Sequence, residues 1–376
     1  MVFRIIYFQK LFRYFYHLYK VVLKSMNHSW LNNIDTQLIE YLSSLNKHKN
    51  SYEYYPAKRG ITKNGQNLSL GLSCYAIKIL FTLNQWDKIE KSRRSGWVDY
   101  INSFQNNKES LPSNSYIDNE IYNFYNNPSL KSLFKDKTKT MLNLIANQEY
   151  KINKVAFQES IRAETKQAIS TLFQIGEKNK LPYKDFPIEE NQIFSFLNSL
   201  NWKNPWSAGG QVAAMAVFSK TQLSEEKFHI STLNLYKFLG KISDKDSGLY
   251  YKDKLPHKGE AINGAMKVIT ALDWMDKEIH YPKKLIDFCL STKPSSHGCD
   301  LVDIVYVLYK CLLQVDYKRK EIIDYMDDII NLIHLHYRRD EGGFSYSIDK
   351  SQEYYYGLKI TNGGNNADLH GTILLT

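Results

Sequence analysis

The chain has 376 residues, of which 43% are hydrophobic and 23% charged, and a formal net charge of +10. That composition excludes a disordered or collagen-like chain, and no apolar run reaches the roughly 18 residues needed to cross a bilayer. Nine prolines favour helices, and four cysteines without CxxC or zinc-finger spacing read as free thiols in a reducing, cytoplasmic setting.

Residues 1–26 carry five basic residues and no acid. Wound as a helix at about 100° per residue, Lys10, Arg13, His17, Lys20 and Lys24 share one stripe, with Phe8, Phe12, Phe15, Tyr19 and Val22 opposite. The pattern predicts a basic amphipathic arm. It either packs its aromatic face on the body or lies in the headgroup layer of an anionic membrane as a peripheral anchor. No nucleic-acid motif accompanies the stripe, so nucleic acid is not an expected partner.

A short helix is expected over 31–45, then an aromatic loop at 51–56, then an apolar helix over 68–83 that opens on Gly71-Leu72-Ser73-Cys74. Residues 103–130 are rich in Asn, Ser and Pro and read as an irregular insertion. Helices resume near Leu130. Apolar helices with small residues are expected from Glu164 to Gly176, from Trp206 to Phe218, over 261–275 and over 299–313, alternating with amphipathic segments at 282–290 and 320–337. Helices apolar nearly all round belong in an inner layer, and amphipathic ones in an outer layer. Residues 27–376 are therefore expected to form an all-α, double-layered α/α toroid. The chain stops at Thr376, a few residues into its last apolar helix, so either the frame is truncated or the ring closes imperfectly.

A local pattern recurs in the second half. Asp246-Ser247-Gly248-Leu249-Tyr250-Tyr251 leads to a helix with Asn263-Gly264-Ala265, and Asp340-Glu341-Gly342-Gly343-Phe344 leads to Asp368-Leu369-His370-Gly371-Thr372. Chemistry is expected at these turns and at the first residues of the helices that follow. Asp368 and His370 suit acid–base work, with Asp368 also reading as a helix cap. Tyr356 is a further catalytic candidate. Trp206, Tyr251, Asn263, Lys267 and Tyr355 are candidates for substrate contact. Arg162, Lys166 and Lys267 sit on or near inner helices, where a charge is costly unless it is paired or faces a cavity. The acidic run from Asp324 to Asp328 lies among isoleucines and reads as a solvated helix face.

The paired turns and inner helices resemble the toroid shared by terpenoid cyclases and protein prenyltransferase β-subunits, over roughly residues 160–376. Gly342-Gly343-Phe344 followed by Asp368-Leu369-His370-Gly371-Thr372 is similar to the prenyltransferase "GGF … D-x-x-H-T" segment. That resemblance implies a zinc ion held by His370 with Cys299 and Asp300 or Asp303. Here Cys299 directly precedes Asp300, where the family has Asp-x-Cys, and Gly371 separates His370 from Thr372. The implied activity is that of a prenyltransferase- or terpene cyclase-like enzyme, acting on an isoprenoid or polyisoprenoid-linked substrate at the membrane surface. Two alternatives stand beside it: a carbohydrate-active toroid, lyase or hydrolase, on an anionic polysaccharide, and a non-catalytic binding scaffold for a lipid, glycan or small molecule.

Overall fold

The computed structural model describes residues 28–106, 108–146 and 150–376, so the amphipathic arm expected at 1–26 lies outside the described residues. Among those residues fifteen α-helices carry the fold. They are α1 (Ile34–Ser44), α2 (Lys63–Asn67), α3 (Leu70–Thr82), α4 (Lys91–Asn102), α5 (Asn119–Asn126), α6 (Leu130–Ile145), α7 (Asn153–Gln174) and α8 (Glu190–Ser199). There follow α9 (Pro205–Gln222), α10 (Glu225–Ile242), α11 (Lys258–Trp274), α12 (Pro282–Leu290), α13 (Gly298–Gln314), α14 (Arg319–His334) and α15 (Leu369–Leu375). Strands are confined to two hairpins of two-residue strands. β1 (Tyr337–Arg338) pairs antiparallel with β2 (Gly343–Phe344), and β3 (Tyr354–Tyr355) with β4 (Leu358–Lys359). The chain is all-α in class.

Local chemistry explains where the helices start. Ser129, Ser224 and Asp368 accept hydrogen bonds from backbone amides of the first turns of α6, α10 and α15. Glu189 and Gln192 form a reciprocal capping box on α8, and Pro205 and Pro282 open α9 and α12 where a missing N–H costs nothing. Helix α3 is capped from a distance. Its own Ser69 side chain makes no cap, and the Asp118 carboxylate accepts the Ser69 and Leu70 amides at 2.8 and 2.9 Å. The segment expected to be an irregular insertion thus supplies a cap, and it holds α5.

Six helices, α3, α7, α9, α11, α13 and α15, pack each on the next, and α15 packs on α3. They are apolar on most sides because they meet protein on most sides; α9 buries every residue from 211 to 219. The others are one-sided. Helix α14 buries only Ile322 and Ile329, and α12 buries Leu285, Ile286 and Cys289 against α13. Close approach of α9 to α11 depends on glycine: a Cβ on Gly264 would sit 2.5 Å from Pro205 Cβ, and one on Gly209 would sit 2.9 Å from the Gly264 carbonyl oxygen. The two recurring turns each place glycine in the left-handed region, at φ +76° for Gly248 and +80° for Gly342.

Some helix boundaries differ from the sequence expectation, the start of α7 by the most. Helix α7 begins at Asn153, well before Glu164, because its polar front half packs on α5 and only its rear half lies among the apolar helices.

Candidate functional site

Each of several central helices carries half-buried residues at helical spacing amid buried ones. These are Tyr75 and Lys78 on α3, Lys166 and Ser170 on α7, Lys267 and Thr270 on α11, and Cys299 and Tyr306 on α13. Three are lysines that sense one another electrostatically. Burial, and then the charges of Lys267 and Lys78, together lower the Lys166 ammonium to about 7. Burial also lowers Lys78, opposed by Cys74 and reinforced by Lys267. Helices α3 and α11 are not one of the closely packed pairs, yet Lys78 senses the charge of Lys267. Lys310 on α13 is held by Asp273 at 2.6 Å. Among the described residues the other three have no ion-pair or hydrogen-bond partner. Unpaired ammonium groups this deep are costly unless a ligand supplies the anion.

His370 on α15 senses the same Lys267 charge. Its ring is stacked between Tyr75, 5.1 Å away with an interplanar angle of 2°, and Tyr346, 5.2 Å away. Burial, with Lys267 adding to it, pushes His370 down to about 3, so the imidazole is neutral, and its Nδ1 is buried without a partner. Asp368 does not orient it. The Asp368 carboxylate is taken up by the amides of Gly371 at 2.8 Å, Tyr346 at 2.6 Å and Gln352 at 3.1 Å, so the acid–base pair expected from the sequence is a helix cap beside a neutral histidine. Burial nonetheless lifts Asp368 to about 7.

Asn263 on α11 and Asp303 on α13 are buried and incompletely satisfied. Asp303 on α13 is 1% exposed, with Oδ2 unpartnered. Burial raises it to about 7, against the pull of Lys267. Asn263 donates from Nδ2 to Asp300 Oδ1 at 2.7 Å and leaves Oδ1 free. Asp300 also takes the Ser295 hydroxyl. The Tyr346 hydroxyl donates to Cys299 Sγ at 3.4 Å, and burial raises that thiol to about 11.

The expected zinc ligands do not fit a metal. Among the described residues no three His, Cys, Asp or Glu side chains are grouped to hold one ion. Cys299 and Asp300 are sequence neighbours on a helix and diverge by about 100°. Asp300 is committed to Asn263 and Ser295.

Tyr355 and Tyr356 are placed by the β3–β4 turn, with Tyr356 at φ +46°. The Tyr355 hydroxyl donates to Glu164 Oε1 at 3.0 Å, and the Asp118 amide donates to Glu164 Oε2 at 2.7 Å. Gly71 leaves the room Tyr355 occupies. Tyr356 is packed on Tyr355 at 4.5 Å, with its carbonyl accepting from Tyr125. Burial, then the charge of Asp118, lifts Glu164 to about 8 despite its two donors. The folded pKa is raised from 4.5, so the protonated form's contribution to stability is fully present below about 4.5 and is lost as pH rises through about 8. Urea midpoints measured from pH 5 to 9 are expected to show this decline, and Glu164→Gln to flatten it by roughly 2–4 kcal/mol. An unchanged decline in the variant would assign it to other groups.

Two expected contact residues lie elsewhere. Tyr251 lines an outward groove with Phe194, Asn198, Lys241 and Lys252. Trp206 is 36% exposed at the start of α9, its amide bonded to Glu260 Oε1 at 2.9 Å. Arg162 is bonded to Gln211 Oε1 and lies over the Phe196 ring. Sequence reasoning missed Tyr75, Lys78 and Tyr346. Lys78 was readable by the rule that singled out Lys166 and Lys267, as a lone lysine in an apolar helix.

No protein-family model matches the chain, and no curated protein or solved structure is significantly similar to it. Among the described residues no helix is long and apolar enough to cross a membrane.

Proposed function

We propose that the contact sequence from α3 through α7, α9, α11, α13 and α15 back to α3 closes an α/α toroid, and that its interior binds an anionic substrate with an apolar body. The observation that carries this reading is the trio Lys78, Lys166 and Lys267, three unpaired ammonium groups from three helices beside the Tyr75–His370–Tyr346 stack. An isoprenoid diphosphate, or a polyisoprenoid-linked one, fits best. The lysines neutralise the diphosphate, and tyrosine faces line the path of the hydrocarbon and favour any cation that develops on it. Asp303, with an unpartnered oxygen and a pKa near neutrality, is the group placed to exchange a proton with such a substrate. Prenyltransferase- or cyclase-like chemistry is the reaction class that uses these parts, with no step assigned to a metal.

An oligouronate is the second reading, favoured by the same lysines and by tyrosine rings suited to stacking on sugars. Calorimetric titration with geranylgeranyl diphosphate, inorganic diphosphate and an oligogalacturonate separates the two. Tightest binding of the isoprenoid ester supports the first reading. Binding of the oligouronate alone moves the assignment to the carbohydrate.

The anion site carries a pH signature. Lys166 holds its proton below about 7 and loses it above. Diphosphate affinity is expected to fall as pH rises above about 7, by up to about tenfold per pH unit. A level affinity from pH 6 to 9 would show that Lys166 does not contribute.

A further inference from the structure

Helix α6 faces the wrong way for a helix of a water-soluble body. Its polar side is turned inward onto the chain that leads into α7. Asp136 Oδ1 accepts the Asn153 amide at 2.6 Å, Lys139 Nζ donates to the Lys151 carbonyl at 2.8 Å, and Asn143 exchanges two hydrogen bonds with the Tyr150 backbone at 2.8 and 2.9 Å. Its apolar side is turned outward. Leu130 is 86% exposed, Phe134 76%, Leu144 81% and Ile145 72%, and the helix buries no residue. On a helical wheel at about 100° per residue these four, with Met141, fall within one arc of about 100°, which also holds the exposed Lys137. An amphipathic helix is normally bound to its protein by the side that α6 leaves open.

We propose that α6 is an in-plane membrane anchor that lays this face into the headgroup–acyl boundary of an anionic bilayer. Charge decides the occupant. Lys131, Lys135 and Lys137 are exposed, and Asp136, the helix's one acid, is spent on Asn153. The outward side is therefore apolar and uniformly positive, the pairing that suits an anionic interface. A second copy of the chain would bring two sets of these lysines together. The chain's own residues 1–26, with five basic residues and no acid, carry the same sign. Sixteen residues of helix give about 24 Å of anchor lying flat. The inference is independent of the ligand assigned to the interior.

Co-sedimentation of the full chain with phosphatidylcholine vesicles, with and without phosphatidylglycerol, tests it. Both substituted side chains of the variant Phe134→Asp/Leu144→Asp are exposed, and circular dichroism verifies that it folds. Binding is expected to require phosphatidylglycerol, to weaken with added salt, and to fall about tenfold or more in the variant. Wild-type-like vesicle binding by the variant would overturn the proposal, because the attachment would then lie outside α6. So would absence of vesicle binding by the wild type, whether or not the variant converts a dimer to a monomer.

Discussion

Replacing Lys166 with methionine is expected to make the protein more stable and to abolish binding of an anionic ligand in the same variant. Burial, with two further lysines in electrostatic reach, brings the ammonium from 10.5 to about 7. A shift of that size corresponds to roughly 5 kcal/mol against the charged form, which screening by water in the interior reduces to about 2 kcal/mol. The cost is full below about pH 7, where folded and unfolded chains are both protonated, and fades as pH rises toward 10.5. Urea denaturation at pH 6 is therefore expected to show Lys166→Met more stable by about 2 kcal/mol, with the difference shrinking at pH 9.5. A residue that weakens the fold where a ligand would strengthen it is a mark of a binding site. Loss of stability at pH 6, or diphosphate affinity equal to wild type, would remove Lys166 from the site.

The second large effect concerns the contact of α9 with α11. Gly264→Val is expected to cost about 3 kcal/mol or more, because its Cβ would press within 2.5 Å of Pro205 Cβ and 2.8 Å of the Pro205 carbonyl carbon. Backbone cannot yield as a side chain does, so α9 and α11 would have to separate along their length. Gly210, one residue from Gly209 on α9, is the control. A Cβ there meets nothing within 4 Å, and Gly210→Ala is expected to gain about 0.5–1 kcal/mol from helix propensity. Chemical denaturation measures both. A tolerated Gly264→Val would contradict the backbone-to-backbone approach, and a destabilising Gly210→Ala would contradict the open space at that position.

The all-α class and the burial of the central helices were legible because burial writes itself into composition. Helices such as α9 and α11 are apolar with small residues since they touch protein on most sides, and their boundaries were close to those expected. Lys166 and Lys267 were legible for the converse reason, a charge on an otherwise apolar helix. What was not legible depends on chain segments far apart. Asp118 caps α3 from 48 residues away, and no local pattern signals that. The periodicity of α6 announces an amphipathic helix but not which side it offers the body; Asn153, Lys151 and Tyr150 settle it. Asp368 and His370 look like a pair in sequence. The carboxylate precedes the helix and turns back to the amides, while the imidazole, in the first turn, points inward between tyrosines.

The most direct test of the interior anion site is calorimetric titration of the full chain with geranylgeranyl diphosphate at pH 6.5, beside Lys267→Met. Lys267 is the charge that Lys78, Lys166, Asp303 and His370 all sense. The expected result is saturable binding by the wild type that weakens about tenfold or more in the variant, the loss of one charge-assisted contact. Equal affinity in the two proteins, or no binding of any anion by the wild type, would contradict an anion-binding interior.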